Sequence, residues 1–217
     1  MPLVGAIVLL LVLAQLLLPG IAANRIASRL RRYGTVDSVR VKAWPAVELL
    51  WGHADSVTVR AGTLTLTPAQ TVALLWEARG LDHVDFTAAG VREDGLQLRD
   101  VSAGKRAGAL TAHAQMTAAD VAAALPAGFD VQLLSSEGGE IKLRASGGLF
   151  GVRGSIDAVA RASEGRLVLS PLGFPLEALK LTLFSEPHVY IEGVGASTEA
   201  AAGGGLSYRL SVDARLR

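Results

Sequence analysis

The chain has no cysteine, few aromatic residues and almost no net charge. The absence of cysteine from 217 residues excludes both a disulfide framework and a thiol nucleophile. A formal net charge of +1 and an isoelectric point near 8.1 give no electrostatic case for nucleic acid. Nucleic-acid-binding domains usually concentrate basic residues and have an isoelectric point above about 9. We therefore expect no nucleic-acid partner.

The sequence also lacks the short motifs that mark common catalytic and cofactor sites. It contains no GxSxG elbow, no P-loop, no HExxH motif and no GxGxxG after a strand. The four histidines have no ligand-like spacing, and carboxylates such as Glu93 and Asp94 lie beside turn glycines. The sequence therefore predicts no enzymatic activity, no catalytic residue, no metal site and no cofactor.

The longest apolar run covers residues 2–23. Gln15 is the single polar side chain within residues 3–18, and the run approaches the roughly 20 residues that a membrane-spanning helix requires. Pro19 and Gly20 lie where a cleavable signal would have helix-breaking and small residues, whereas the arginines that follow favour cytoplasmic retention. We interpret residues 1–23 as a signal peptide or a membrane anchor. The rest is then an exported cell-envelope protein, membrane-anchored, periplasmic or extracellular.

Residues 24–34 are predicted to form an amphipathic connector. Arg25, Arg29 and Arg32 recur at helical spacing, with Ile26 and Leu30 on another face. One interpretation is a solvated connector. The other is an interfacial helix whose arginines contact anionic lipid headgroups.

After Gly34 the apolar residues recur at every second position, which is typical of half-buried strands. Two helices interrupt the strands, one opened by Thr67 and Pro68 and one capped by Thr117. Because the strands are many and adjacent in sequence, residues 35–217 are predicted to form an α+β domain. Its architecture is a mainly antiparallel, curved β-sheet with two short packing helices, preceded by the N-terminal membrane or signal helix.

The apolar strand and helix faces consist mainly of leucine, valine and alanine. They suit either an ordinary packed core or a smooth groove for acyl chains, and composition does not separate these alternatives. For a groove, the candidate lining residues are Trp51, Val72, Leu75, Trp76, Val121 and Leu125. Lys105 and Arg106, in the glycine-containing loop of residues 104–108, are the candidate headgroup ligands at its mouth.

Four stretches resemble the opening of the actinobacterial LmeA family: VDSVRV at residues 36–41, WP at 44–45, LLWG at 49–52 and DSVTV at 55–59. A weaker similarity runs through residues 147–151 and 167–171 to the end of the domain. The resemblance implies an envelope protein that binds phospholipid and supports lipid or lipoglycan assembly, with a fold similar to tubular lipid-binding proteins. It has no compact site motif, so no binding residue is transferred from it.

We therefore predict a cell-envelope phospholipid-binding protein that holds acyl chains in an apolar groove. Phospholipid and the membrane are its predicted partners. A non-catalytic structural or interaction module of the envelope is the alternative, and it would retain no lipid on purification. An enzyme whose acid and base meet only in the folded chain is a third class.

Overall fold

The computed structural model describes residues 2–93, 95–124, 128–149, 152–173, 180–200 and 206–216. Within these ranges the chain is mostly β-structure. The strands are β1 Gly34–Lys42, β2 Ala54–Thr65, β3 Leu81–Glu93, β4 Leu96–Arg106, β5 Ala109–Thr117, β6 Phe129–Glu137, β7 Glu140–Leu149, β8 Val152–Ser163, β9 Arg166–Leu172, β10 Leu181–Phe184, β11 Val189–Ala200 and β12 Leu206–Leu216. The helices are α1 Pro2–Leu30, α2 Pro68–Glu77 and α3 Ala118–Ala124, with 3₁₀ turns at Ala46–Trp51 and Ala78–Gly80.

The strands form two open sheets rather than the single curved sheet that the sequence predicts. The larger sheet has seven strands in the order β1-β2-β3-β4-β5-β12-β11, and the smaller has five in the order β10-β9-β8-β7-β6. All neighbours except β2 and β3 are antiparallel, so the mainly antiparallel prediction is confirmed. The break comes at α3, which follows β5 in the large sheet and precedes β6 in the small one.

The parallel pair β2–β3 depends on α2. Parallel neighbours require a crossover connection, and α2 supplies it between the end of β2 and the start of β3. The register pairs Ala54 with Leu81 and Thr65 with Arg92. The last turn of α2 therefore returns the chain to the sheet end that also holds the start of β2.

Strand β11 joins the two sheets. Its outer edge meets the small sheet, where the amide of Ile191 donates to the carbonyl of Gly165 (3.0 Å) and that of Val194 donates to the carbonyl of Gly139 (3.3 Å). The apolar side chains at this junction form one cluster around Val189, Ile191 and Ala214, with Ile141 and Leu167 of the small sheet packed against it. Backbone pairing and apolar burial thus hold the sheets together.

Helix α1 continues without interruption past the boundary predicted at residue 23 and ends at Leu30. Ala27 and Leu30 are buried while Arg25 and Arg29 are exposed, so residues 24–30 have the two faces that the sequence predicts. The buried face packs on the core of β1 and β2, including Val41 and Val57. Within the described part of the chain, no helix has the length and apolarity needed to cross a membrane, so the predicted spanning helix is not supported.

Candidate functional site

A cleft of about 320 Å³ opens between α2 and the ends of β11 and β12. Its walls are mostly apolar, with charged side chains at the rim. The lining residues from the helix side are Ala69, Val72, Ala73, Leu75, Trp76, Glu77 and Arg79, and those from the strand side are Glu186, His188, Val189 and Leu216. The structure therefore brings Val72, Leu75 and Trp76 together in one cleft, as the helical spacing predicts.

The first turn of α2 is held by a capping box. The Thr67 hydroxyl accepts from the amide of Gln70 (3.3 Å), and the Gln70 side chain accepts from the amide of Thr67 (2.9 Å). Pro68 occupies the first helical position, where its missing N–H costs no hydrogen bond. These local signals start the helix at the residue that the sequence predicts.

Helix α2 packs incompletely on the sheet beneath it. None of its ten residues is fully buried, although the sheet under it contains fully buried side chains such as Leu64. Trp76 is 45% exposed. An amphipathic helix in a closed core would bury its apolar stripe, so the face that carries Leu75 and Trp76 leaves open apolar surface.

Trp76 lies between the apolar wall and two basic side chains. The centre of its ring is 4.1 Å from that of His188, and the Arg79 guanidinium carbon lies 4.2 Å from the Trp76 ring centre. The second contact is a cation–π interaction. This interaction uses the face of the Arg79 guanidinium, so its N–H groups point outward from the ring at the rim of the cleft. Guanidinium N–H groups are well suited to binding a phosphate.

Lys105 is not a mouth residue. Strand β4 runs through the predicted loop as far as Arg106, and the alternation of strand side chains directs Lys105 inward, where it is 5% exposed. Its ammonium donates to the carbonyls of Ala78 (3.0 Å), Arg79 (2.8 Å) and Leu81. Burial lowers the pKa of Lys105, while the charge of Asp82 acts in the opposite direction. Lys105 therefore positions the 3₁₀ turn that follows α2, and it is directed away from solvent.

Arg106 is exposed, as a headgroup ligand must be, and it is the last residue of β4, directly before the β4–β5 turn. The carbonyl of Gly108 in that turn accepts from the amide of Leu216 (2.9 Å), a residue of the cleft wall. Arg106 thus lies at the sheet end that carries the cleft, although it is not a lining residue.

Val121 does not meet the α2 face. It lies on α3, which follows Thr117, and Thr117 pairs with Ser207 whereas Ala109 pairs with Arg215 beside the cleft. Eight residues of strand separate those two ends, which corresponds to about 27 Å. The two helices therefore do not enclose a common groove. Leu125, the other residue predicted from this helix, lies outside the described residues.

Trp51 lies near the end of α2 but does not line the cleft. It closes the 3₁₀ turn before β2, and the carbonyl oxygen of Gly52 is 3.8 Å from the position that a Cβ would take at Gly80. Its side chain is largely exposed. The structure thus separates Trp51 from the three α2 residues with which the sequence grouped it.

The model of the LmeA-like phospholipid-binding family matches residues 13–215, which is nearly the whole chain. The chain belongs to this family. Membership supports lipid binding in general. No curated protein and no solved structure matches the chain.

In this LmeA-like protein, sequence reasoning missed the strand wall of the cleft and its basic rim. Arg79 falls three residues after Trp76, and the helical spacing of the sequence includes it as the last charged residue before Gly80, although the structure places it in the 3₁₀ turn after α2. His188, Val189 and Leu216 carry no local signal, because only the β11–β12 pairing and the junction with α2 bring them to the helix. Among the described residues, no group of three or more His, Asp or Glu side chains is arranged to hold a metal ion.

Proposed function

We propose that this protein binds phospholipid by holding acyl chain against α2, with the phosphate at Arg79, and that it acts as a non-catalytic lipid-binding protein of the cell envelope. The observation that carries the proposal is the incompletely covered apolar face of α2, where Val72, Leu75 and Trp76 line a cleft and Trp76 is largely open to it. Leu75 forms the floor of this cleft, because it also packs against the buried cluster around Val189. The family assignment supplies the ligand class.

The size of the cleft favours one chain segment. A volume of about 320 Å³ lies at the small end of the roughly 300–1,000 Å³ typical of ligand clefts. A single chain segment suits such a space better than a complete two-chain lipid. Each methylene that enters contributes about 0.8 kcal/mol, so affinity grows with the length of chain that the cleft accepts.

Arg79 and His188 provide the polar end of the proposed site. Both lie beside Trp76 at the cleft rim. The rim also carries two carboxylates, Glu77 and Glu186, and Glu77 is paired with Arg29 of α1 (2.6 Å). That pair offsets the negative charge next to Arg79, which favours a phosphate there.

The envelope location is part of the proposal. It rests on the apolar N-terminal sequence and on the family resemblance, both of which are typical of exported lipid-binding proteins. Within the envelope, the protein would hold lipid for the assembly of envelope lipids or lipoglycans.

The full chain, purified in mild detergent, can be tested by native mass spectrometry with diacyl phosphatidylglycerols of increasing chain length. We expect bound lipid, with occupancy that rises with chain length and depends little on moderate salt, because the transfer free energy of methylenes is not screened. Leu75→Gln should reduce binding, and Leu134→Gln, at an exposed leucine of β6, is the matched control.

Two results would contradict the cleft proposal. If moderate salt abolishes lipid binding and the length of the acyl chains has no effect, surface arginines rather than the cleft bind the lipid. Equal loss in the Leu75→Gln and Leu134→Gln variants would show that the cleft is not the site. If no lipid binds in any condition, the structural or interaction module becomes the better explanation.

A further inference from the structure

A groove of about 700 Å³ lies between α1 and α2, and we call it the α1–α2 groove. Its volume falls within the range typical of ligand sites. Six of the residues that line it follow one another at alternating steps of three and one, so they form a continuous stripe along one side of α1 and the turn after it. These residues are Ile21, Asn24, Arg25, Ser28, Arg29 and Arg32. One wall of the groove is therefore mostly polar and carries three arginines.

The floor of the groove is apolar. Ile26 and Leu30 of α1 and Leu74 of α2 line it, and all three pack in the core cluster that contains Val57. Leu74 lies directly before Leu75, which lines the cleft, so α2 separates the groove from the cleft. A polar wall above an apolar floor suits an amphipathic ligand.

Positive charge exceeds negative charge in the groove. Among the described residues that line it, Glu77 is the one acid, against three arginines. The Glu77 carboxylate pairs with Arg29 (2.6 Å), whereas Arg25 and Arg32 form no ion pair within the described part of the chain. The groove therefore has two guanidinium charges that its own carboxylate does not balance, which favours an anionic ligand.

These two arginines are not needed to close the end of α1. Basic side chains near a helix C-terminus often bind its last carbonyls, but here the amides of Arg31 and Arg32 donate to the carbonyls of Ala27 (2.9 Å) and Arg29 (3.3 Å). The Nε–H of Arg32 adds a bond to the Arg29 carbonyl (3.4 Å), which holds its side chain against the last turn of α1. That bond does not use the terminal N–H groups of the guanidinium.

We propose that the α1–α2 groove is a second lipid site, which binds the phosphate of an anionic phospholipid through Arg25 and Arg32. The apolar part of the lipid next to the phosphate lies on Ile26 and Leu74. Guanidinium N–H groups form charge-assisted hydrogen bonds with phosphate oxygens, and the excess of positive charge selects anionic lipid over zwitterionic lipid. The inference rests on the proposed function for its ligand class, but it does not require lipid in the cleft.

Native mass spectrometry of the full chain in mild detergent tests this proposal, because it counts bound lipids. The probes are phosphatidylglycerol and phosphatidylcholine with the same acyl chains. We expect two bound phosphatidylglycerols per chain but one phosphatidylcholine. Rising salt should remove the second phosphatidylglycerol first, since attraction between exposed charges is screened. Arg25→Gln with Arg32→Gln should weaken the second binding step about fivefold for each arginine removed.

The matched control is Arg31→Gln with Arg40→Gln. It removes the same charge at two exposed arginines that do not line the groove, so both binding steps should stay unchanged. Leu75→Gln in the cleft should weaken the other binding step and leave the arginine-dependent step intact.

The proposal is overturned if at most one phosphatidylglycerol binds, if a second phosphatidylcholine binds as tightly, or if the two double variants lose lipid equally. It is also overturned if glycerol phosphate at equal concentration displaces the second lipid, since a soluble phosphate ester would then be sufficient. If Leu75→Gln changes nothing while the arginine-dependent step remains, the cleft proposal alone is contradicted.

Discussion

The ammonium of Lys105 donates to the carbonyl oxygen of Arg79 at 2.8 Å, so a buried lysine of β4 holds the residue whose guanidinium covers Trp76. The same ammonium binds the carbonyls of Ala78 and Leu81. Ala78 and Arg79 belong to the 3₁₀ turn after α2, and Leu81 begins β3. Lys105 thereby connects strand β4 to the rim of the proposed lipid site.

Removing that ammonium should destabilise the protein. Lys105→Met keeps most of the length of the side chain but removes the donor that the carbonyls of Arg79 and Leu81 share. A buried polar group that loses its partner typically costs about 1–3 kcal/mol. Urea denaturation measures the change in the free energy of unfolding. Lys142→Met, at an exposed position of β7, is the control and should leave it nearly unchanged. Equal stability of the two variants would show that the Lys105 contacts are not needed.

Trp76 and Leu64 should respond differently to truncation. Leu64 is completely buried, so Leu64→Ala should cost about 2–5 kcal/mol in lipid-free protein. Trp76→Ala should cost less than the roughly 3–5 kcal/mol typical of a buried tryptophan, because 45% of the residue is already exposed. It should nevertheless reduce lipid occupancy in native mass spectra. A full core-sized loss of stability would place Trp76 in the packed interior.

The start of α3 should contribute acid-sensitive stability. The Asp120 carboxylate accepts from the amide (3.0 Å) and hydroxyl (2.7 Å) of Thr117, and Arg99 lies 3.5 Å away. Partial burial raises the pKa of Asp120, but these hydrogen bonds and the charge of Arg99 together lower it below its ordinary value of 3.8.

Because the folded pKa is the lower one, the stabilisation by Asp120 is complete above pH 3.8 and disappears as the pH falls through the folded value. Asp120→Asn keeps an acceptor but loses the negative charge in the first turn of α3, so it should be less stable than wild type near neutral pH by about 0.3–1 kcal/mol. The difference between the two free energies of unfolding, measured by urea denaturation, should become smaller at acid pH. Asp130→Asn, at an exposed carboxylate, is the control. If this difference in stability is the same at all pH values, the charge of Asp120 does not contribute to stability.

The junction of the two sheets should be sensitive to Gly165. This residue has a φ of +78°, and a Cβ built on it would overlap the ring of Tyr190. Gly165→Ala should destabilise the protein by about 1–3 kcal/mol from the backbone conformation alone, with a further loss from the overlap. Gly154→Ala, where nothing lies within 4 Å, is the matched control for thermal unfolding. Similar melting temperatures of the Gly165→Ala and Gly154→Ala variants would show that the contact between Gly165 and β11 adjusts to a Cβ at little cost in stability.

Local signals predicted the elements of the site better than their arrangement. Thr67, Pro68 and the spacing of Val72, Leu75 and Trp76 located α2 and its apolar face correctly. The glycines flanking Lys105 wrongly indicated a loop, because strand pairing with β3 and β5 carries β4 through Gly104 to Arg106. The prediction that Val121 shares a groove with α2 is wrong, because the register of β5 places α3 and the cleft at opposite ends of the sheet.

The sequence by itself determined that the chain is a cysteine-free α+β protein of many antiparallel strands, with a capped helix at Pro68 and an apolar N-terminal run. Alternation and capping act over a few residues, so they can be read from the chain. Only the tertiary structure decided that the strands divide into two sheets and that Lys105 is directed inward. It also decided that His188 contacts Trp76 and that Leu216 lines the same cleft. Those outcomes depend on strand register and on contacts between residues far apart in sequence, which no local pattern specifies.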